Sequence, residues 1–256
     1  MILGMNTKIL LVALVAILIS LSSCSHQETY VFNDHMIDMW AQTLEPYSVD
    51  IAFFGDSRVV LADWEAAYPD SDIVNLGIGG DIVEGAIQRL RLLEALDVKY
   101  CFLAIGVNNC SSDSFSAAGF RGKYTTLLDG LEDLGITVYV NTIAGVTTEN
   151  SVLDATLVTR MTNNITVANE IIKEIIGDLA ESRDLTLIDM AIGMNNADGT
   201  LKAQYSEDGI HFTALGNQFW YDECRDYVET IGSRECSETT NRRIPRNLMH
   251  DFIDVL

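Results

Sequence analysis

Five short, continuously apolar segments constrain the fold of this chain more than any other feature. They run from Asp50 to Phe54, Ile73 to Leu76, Tyr100 to Ile105, Thr137 to Thr142 and Thr186 to Ile188. Apolar runs without alternation are typical of strands that are buried on both faces, as in a parallel sheet. We therefore predict a five-stranded parallel sheet.

Helical patterns lie between and after these strands. They run from Val59 to Ala67, Ile82 to Leu96, Phe115 to Leu134, Val152 to Ser182 and Thr213 to Ile231. Strands that alternate with helices indicate βαβ units, and such units build a three-layer α/β/α sandwich of the α/β class. In folds of this kind, ligands bind at the carboxyl ends of the strands.

The N-terminus carries a separate signal. Lys8 precedes an apolar run from Ile9 to Leu21, which is shorter than the roughly 20 residues that span a bilayer and fits the core of a signal peptide. The segment Leu21-Ser22-Ser23-Cys24 resembles a bacterial lipobox. That resemblance implies cleavage before Cys24 and lipidation of its thiol. The alternative is an ordinary signal peptide or an uncleaved anchor, in which Cys24 has no such role.

These features predict four parts of the chain. They are a lipoprotein signal peptide (residues 1–23), a polar tether (24–33), one folded domain (34–232) and a C-terminal tail (233–256) to which we assign no function. The expected location is outside the cytoplasm, with the protein lipid-anchored to a bacterial membrane in the periplasm or at the cell surface.

The formal net charge of the chain is −21. A negative field of this size repels nucleic acid and anionic lipid head groups. We therefore expect no nucleic-acid partner, and a lipid anchor rather than surface charge would hold the protein at a membrane. A solvated acidic surface explains the charge without any partner.

Besides Cys24, the chain has four cysteines: Cys101, Cys110, Cys224 and Cys236. In an exported protein they allow three pairings, of which we favour a bond between Cys224 and Cys236. Cys101 lies in an apolar strand and is expected to be a buried free thiol. The Cys and His spacings match no zinc site.

Four short signatures follow one another in the sequence. They are Gly55-Asp56-Ser57, Gly77-Ile78-Gly79-Gly80, Gly106-Val107-Asn108 and Asp208-Gly209-Ile210-His211. The first three directly follow predicted strands, so a parallel sheet would gather them at one edge. Each signature is weak alone, and their order is what makes them informative.

A nucleophile, a base and an acid can be assigned within these signatures. Ser57 opens a predicted helix, where it could be a simple N-cap or a nucleophile that gains from the helix N-terminus. His211 favours the nucleophile, because it lies in a loop with Asp208 three residues before it. Asp208 would bond one ring nitrogen and direct the other toward Ser57. Asp189, at the end of the last strand, is a rival for the role of Asp208 and is better explained as structural.

Acyl transfer also needs hydrogen-bond donors for an oxyanion. Three candidates are available: the backbone N–H groups of Ser57 and Gly80, and the side-chain amide of Asn108. The glycines before Asp81 suggest a dinucleotide-binding loop as an alternative, but the third glycine of that fingerprint would fall on Ile82.

Taken together, these residues resemble the SGNH (GDSL-type) hydrolases. The segments from Asn75 to Asp81 and from Gly106 to Asn109 are similar to the platelet-activating-factor acetylhydrolase-like branch, and the resemblance covers roughly residues 50–221. It implies a flavodoxin-like sheet and esterase or acylhydrolase activity without a metal or organic cofactor. It also implies Ser57 as nucleophile, Gly80 and Asn108 as oxyanion donors, and Asp208 with His211 to complete the triad.

Two positions depart from the family pattern. Arg58 stands where Leu or Ile is usual, and Asn109 replaces an Asp that often follows Asn108. We expect Arg58 to be either an exposed residue of the first helical turn or a residue that narrows the acyl pocket or meets an acidic substrate group. Asn109 is a candidate substrate contact.

The predicted substrate is a small-molecule or carbohydrate ester with a short acyl group on a sugar or other polar alcohol. The stretches 142–150 and 190–207 are polar and lack the large apolar lid that a long-chain lipase needs. The alternatives are lysophospholipase or thioesterase action on longer acyl chains, and a non-catalytic surface binding lipoprotein on the same scaffold.

Overall fold

A five-stranded, all-parallel sheet forms the middle of the computed structural model, which describes residues 34–149, 151 and 153–235. The strands are β1 (Ile51–Gly55), β2 (Ile73–Gly77), β3 (Tyr100–Ala104), β4 (Thr137–Asn141) and β5 (Leu185–Ile188). Their order in the sheet is β2-β1-β3-β4-β5, the flavodoxin-like order of a doubly wound sheet. The predicted fold class is confirmed, and each predicted strand overlaps an observed one.

Helices cover both faces of this sheet. One face packs against α1 (Asp34–Leu44), α4 (Val83–Gln88), α5 (Leu90–Ala95), α7 (Ala117–Asp133) and α8 (Ala155–Leu179). The other face packs against α2 (Ser57–Val60), α3 (Trp64–Ala67), α9 (Met190–Met194) and α10 (Ala214–Glu235). Strand β1 shows why both faces are apolar, because Ala52 and Phe54 join the first core while Ile51 and Phe53 join the second.

The sequence prediction of the helices was incomplete in two ways: some helices were missed, and two predicted helices are divided in the structure. Helix α6 (Val107–Cys110) and a 3-10 turn (Ala203–Tyr205) were not predicted, and neither were α1 and α9. The predicted helix over residues 59–67 is divided into α2 and α3, because Asp63 caps a new helix by accepting a hydrogen bond from the Ala66 N–H. The predicted helix over residues 82–96 is divided at Arg89 into α4 and α5.

Several predictions concern residues outside the described ranges. The signal peptide, the tether, Cys24, Cys236 and the tail after residue 235 all belong to this group. Within the described ranges, no helix is long and apolar enough to cross a membrane. Cys101 is a fully buried free thiol, as predicted. Cys224, on α10, is also a free and fully buried thiol, in contact with Asn141. Its predicted partner Cys236 lies outside the described residues, so that pairing stays a prediction.

Candidate active site

Ser57 lies at the carboxyl edge of the sheet, two residues after the end of β1. The chain can turn sharply there because Gly55 has no side chain: a Cβ atom at this position would lie 1.9 Å from the carbonyl oxygen of Ala104. Asp56 is the N-cap of α2 and accepts a hydrogen bond from the Arg58 N–H at 3.0 Å. Ser57 is therefore the first residue of the helix rather than its cap, and its hydroxyl is available for another partner.

That partner is His211. Its Nε2 atom lies 2.9 Å from Ser57 Oγ, and its Nδ1 atom lies 2.6 Å from a carboxylate oxygen of Asp208. The other carboxylate oxygen of Asp208 accepts the N–H groups of Ile210 and His211, both at 2.8 Å. An Nδ1–H that faces a carboxylate leaves Nε2 as the acceptor for the serine proton. The structure thus brings together the three residues that the sequence predicted as acid, base and nucleophile.

Asp208 is suited to remain ionised. Partial burial raises the pKa of its carboxyl, but the hydrogen bonds from the His211 ring and from two backbone N–H groups outweigh that effect and hold the pKa well below its usual range. The side chains of His211 and Asp208 are 36% and 48% exposed, so the pair is open to solvent and to a substrate. Asp189 does not contact His211; it accepts a hydrogen bond from Thr142 and pairs with Lys173.

The carbonyls of the Asp208 loop are held by the segment that follows β4. The Thr147 N–H donates to the Gly209 carbonyl at 3.0 Å, and the Ser151 hydroxyl donates to the Asp208 carbonyl at 2.7 Å. The acid and base are thus placed by a loop that is far from them in sequence.

Each predicted oxyanion donor keeps an N–H group that is not used within the described part of the chain. Gly80 is exposed, has φ of +73° and has no atom within 4 Å of where a Cβ would lie. Among the residues that the structure describes, the N–H groups of Ser57 and Gly80 find no acceptor. One amide hydrogen of Asn108 is used in a bond to the Asp81 carbonyl at 2.8 Å, which leaves the second free to donate.

A buried ion pair lies beneath these donors, and sequence reasoning missed it. Asp81 and Arg89 are both fully buried and pair with each other. Arg89 also donates to the Leu76 carbonyl at 2.9 Å and to the Gly55 carbonyl at 3.2 Å. It therefore ties the ends of β1 and β2 to the loop that carries Gly80. The sequence did not distinguish Arg89 from the other charged residues of the same helical pattern, such as Arg91.

The two candidate substrate contacts have other partners. Arg58 is only 6% exposed, so the expectation of an exposed first-turn residue is wrong. Its side-chain nitrogens donate to three backbone carbonyls, which leaves it poorly placed to meet a substrate acid. Asn109 accepts the Val83 N–H at 3.0 Å and donates to Glu84 at 2.9 Å, so its amide is used at the start of α4. Among the described residues, no cluster of three or more His, Cys, Asp or Glu side chains could hold a metal ion.

The fold and this site together define a class, the ester-hydrolysing serine hydrolases. Residues 48–219 match the model of the GDSL-like lipase/acylhydrolase family. The chain belongs to that family. A search of curated protein sequences finds no match.

Solved structures show the same fold. A GDSL-like lipase from Bacteroides thetaiotaomicron is 14% identical, with a TM-score of 0.65 over 77% of this chain and 99% of the other. A protein from Streptococcus pneumonia named for platelet activating factor is 19% identical, with a TM-score of 0.63 over 76% and 92%. An acetyl xylan esterase is 19% identical, with a TM-score of 0.58 over 70% and 100%. At these identities the likeness establishes the fold alone.

Proposed function

We propose that the protein is a serine esterase that hydrolyses a carboxylic ester, with a short acyl group on a sugar or other polar alcohol. The observation that carries this proposal is the continuous chain from Asp208 through His211 to Ser57, with distances of 2.6 and 2.9 Å. Distances of this size allow proton transfer between the serine and the ring without a movement of the backbone.

In the proposed mechanism, Ser57 Oγ attacks the acyl carbon while His211 Nε2 takes the hydroxyl proton. The tetrahedral intermediate places its oxyanion among the N–H groups of Ser57 and Gly80 and the Asn108 amide. His211 then gives the proton to the leaving alcohol oxygen. A water molecule attacks the acyl-enzyme with His211 again as base, which frees the acid and restores Ser57.

Polar side chains along a shallow surface groove support a polar alcohol as the leaving group. The groove has a volume of about 570 Å³ and runs along the first half of α8, where it is lined by Thr156, Thr159, Arg160, Asn163 and Asn164. Asn164 donates to the carbonyl of Cys110 at 3.0 Å, which places the groove next to the helix that carries Asn108. Hydroxyl, amide and guanidinium groups are suited to sugar hydroxyls. The fold likeness to an acetyl xylan esterase agrees with a short acyl group on a sugar.

Longer acyl esters or thioesters are a second candidate. Leu61 follows the helix that begins with Ser57, and Leu215 lies four residues after His211; these side chains are 61% and 54% exposed. Exposed apolar side chains this close in sequence to Ser57 and His211 could contact a longer chain.

The proposed location is the periplasm or the cell surface, with the protein anchored to a bacterial membrane by a lipid on the thiol of Cys24. The support is the sequence pattern alone, because Cys24 lies outside the described residues. Metabolic labelling with a palmitate analogue should mark the wild type and not Cys24→Ser; labelling of both would reject this anchor.

A fluorophosphonate probe tests the activity. We expect it to label the wild type and not Ser57→Ala, whereas a folded wild type that stays unlabelled would point to a non-catalytic binding protein. Esters from acetyl to palmitoyl then separate the two substrate classes. A rate that falls as the acyl chain lengthens supports the short-chain proposal, and a rate that rises supports the second candidate.

A further inference from the structure

Arg58 stands next to the proposed nucleophile and is buried. Its backbone N–H donates to the side chain of Asp56, the N-cap of α2. Its side chain extends from the helix toward the core that lies between the sheet and α10. Burial lowers the pKa of its guanidinium to about 10, against the opposing effect of the carboxylates of Asp56 and Asp208. A buried cation needs a full set of acceptors, and those of Arg58 come from distant loops.

Three hydrogen bonds engage all three nitrogens of the guanidinium. Nε donates to the Ile210 carbonyl at 3.0 Å, Nη1 to the Ala144 carbonyl at 2.7 Å and Nη2 to the Gly145 carbonyl at 2.8 Å. The central carbon of the guanidinium also lies 4.7 Å from the centre of the Phe212 ring. Arg58 therefore contacts the residues immediately before and after His211.

The acceptors at positions 144 and 145 are themselves fixed. The Gly145 N–H donates to the side chain of Asn195 at 2.8 Å, and the Leu201 N–H donates to the Val146 carbonyl at 3.0 Å. The same segment holds the Asp208 and Gly209 carbonyls through Ser151 and Thr147. Arg58 follows Ser57 directly in the chain. Its side chain thus connects Ser57 to the fixed segment at residues 144–146 and to the two neighbours of His211.

We propose that Arg58 is a positioning residue that fixes the His211 ring at hydrogen-bond distance from Ser57. The inference rests on the proposed function of these two residues. Leucine or isoleucine at position 58 could fill the space but could not donate to any of the three carbonyls. Lysine carries its charge on a single ammonium group and cannot donate from three nitrogens in the planar arrangement of a guanidinium.

The test compares Arg58→Lys with wild type in the full chain, using p-nitrophenyl acetate. We expect kcat to fall by roughly 10- to 100-fold, because a displacement of about 1 Å in a reacting group has effects of this size. KM for this small ester should stay within about twofold, because the three guanidinium nitrogens donate to backbone carbonyls rather than facing an open site. On a His211→Ala background the same substitution should change the residual rate by less than about twofold. An equal loss in both backgrounds, or an unchanged kcat, would overturn the proposal.

Arg89→Lys is the matched control. Arg89 is also buried and donates to backbone carbonyls, but these belong to Leu76 and Gly55 on the oxyanion side of the site. Its substitution should change the rate by the same factor with and without His211.

Hydrogen exchange of residues 206–213 gives a readout that does not depend on activity. We expect exchange to speed up by roughly 10-fold in Arg58→Lys and not in Arg89→Lys. Equal exchange in wild type and both variants would refute the positioning role.

Two further outcomes can be separated. If the wild type is folded but inactive toward esters and the probe, the proposed function fails, while the exchange result still tests whether Arg58 fixes the His211 loop. If Arg58→Lys does not fold, Phe212→Leu removes the ring beside the guanidinium and keeps its hydrogen bonds. The same dependence on His211 is then expected at smaller size, and its absence would count against the proposal.

Discussion

At the scale of single residues, the hydroxyl of Ser57 has two possible roles, helix cap or nucleophile. Serine is common at N-caps, so the sequence alone leaves the two roles open. In the structure Asp56 is the cap, and Ser57 Oγ lies 2.9 Å from His211 Nε2. Asp56, the residue before the proposed nucleophile, thus supplies the local hydrogen bond that would otherwise compete for the Ser57 hydroxyl.

Asp208→Asn should lower kcat by roughly 10²- to 10⁴-fold, because an amide cannot hold the required tautomer of His211 or stabilise its charged form. Steady-state kinetics with p-nitrophenyl acetate measures this loss. Asp198→Asn is the control, since Asp198 is an exposed loop residue whose carboxylate accepts hydrogen bonds from Thr200. Full activity of Asp208→Asn would show that another group orients the base.

Asp56 should make stability depend on pH. Burial raises the pKa of its carboxyl to about 6, although Arg58 opposes the shift. Between the unfolded value of 3.8 and about 6, the folded state binds more protons than the unfolded state, so stability falls as pH rises. The loss attributable to Asp56 should reach about 3 kcal/mol at most.

Urea unfolding of wild type and Asp56→Asn at pH 4 and pH 7 tests this. The difference in the free energy of unfolding, wild type minus variant, should fall as pH rises. A difference that does not change, or that rises with pH, would mean that Asp56 stays ionised throughout.

At the scale of the elements, a charge decides how one predicted helix is built. The pattern over residues 82–96 predicts a continuous helix, whereas the structure divides it at Arg89, whose side chain enters the core to pair with Asp81. Hydrophobic periodicity reports which face of a helix is apolar. It does not report that a single arginine will be drawn inward by carbonyls at the ends of β1 and β2.

Arg89→Met should reduce the free energy of unfolding by roughly 3–5 kcal/mol, because it leaves the Asp81 carboxyl buried without its partner. Urea denaturation measures the change. Arg91→Met is the control two positions further along the chain. Its partners Asp34 and Asp38 are exposed, so the loss for Arg91→Met should stay within about 1 kcal/mol. Similar losses for the two variants would contradict this account of the buried pair.

The groove along α8 should affect the leaving group rather than the chemistry. Asn163→Ala removes an exposed amide from its lining. We expect KM for an acetylated oligosaccharide to rise by roughly 2- to 10-fold, the range for one lost hydrogen bond. KM for p-nitrophenyl acetate should not change. A parallel change for both esters would indicate that the groove is not a sugar site.

At the scale of the whole molecule, the net charge of −21 opposes the compact state. Raising NaCl from about 20 mM to about 500 mM shortens the screening length severalfold. The midpoint of thermal unfolding should therefore rise by a few degrees. KCl should act equally, because screening depends on ionic strength. A different response to the two salts would indicate specific ion binding instead.

The sequence alone determined the layout of the fold and where its chemistry lies. Continuous apolar runs predicted all five strands, because burial on both faces leaves no polar alternation to obscure them. Parallel strands end at one edge, so the signatures that follow them were expected to meet. Asp208 and His211 were predictable as a pair because they lie three positions apart in one short loop.

Only the tertiary structure decided which partners the buried polar groups have. Arg58 bonds to a carbonyl 152 positions away, and Arg89 to one 34 positions away. The same holds for Asn109, which binds the start of α4, and for Cys224, whose thiol contacts Asn141. A local sequence pattern indicates which side chains of a segment are buried and which are exposed to water. The partner of a buried charge depends instead on which loops the folded sheet brings together, and residue spacing does not specify that proximity.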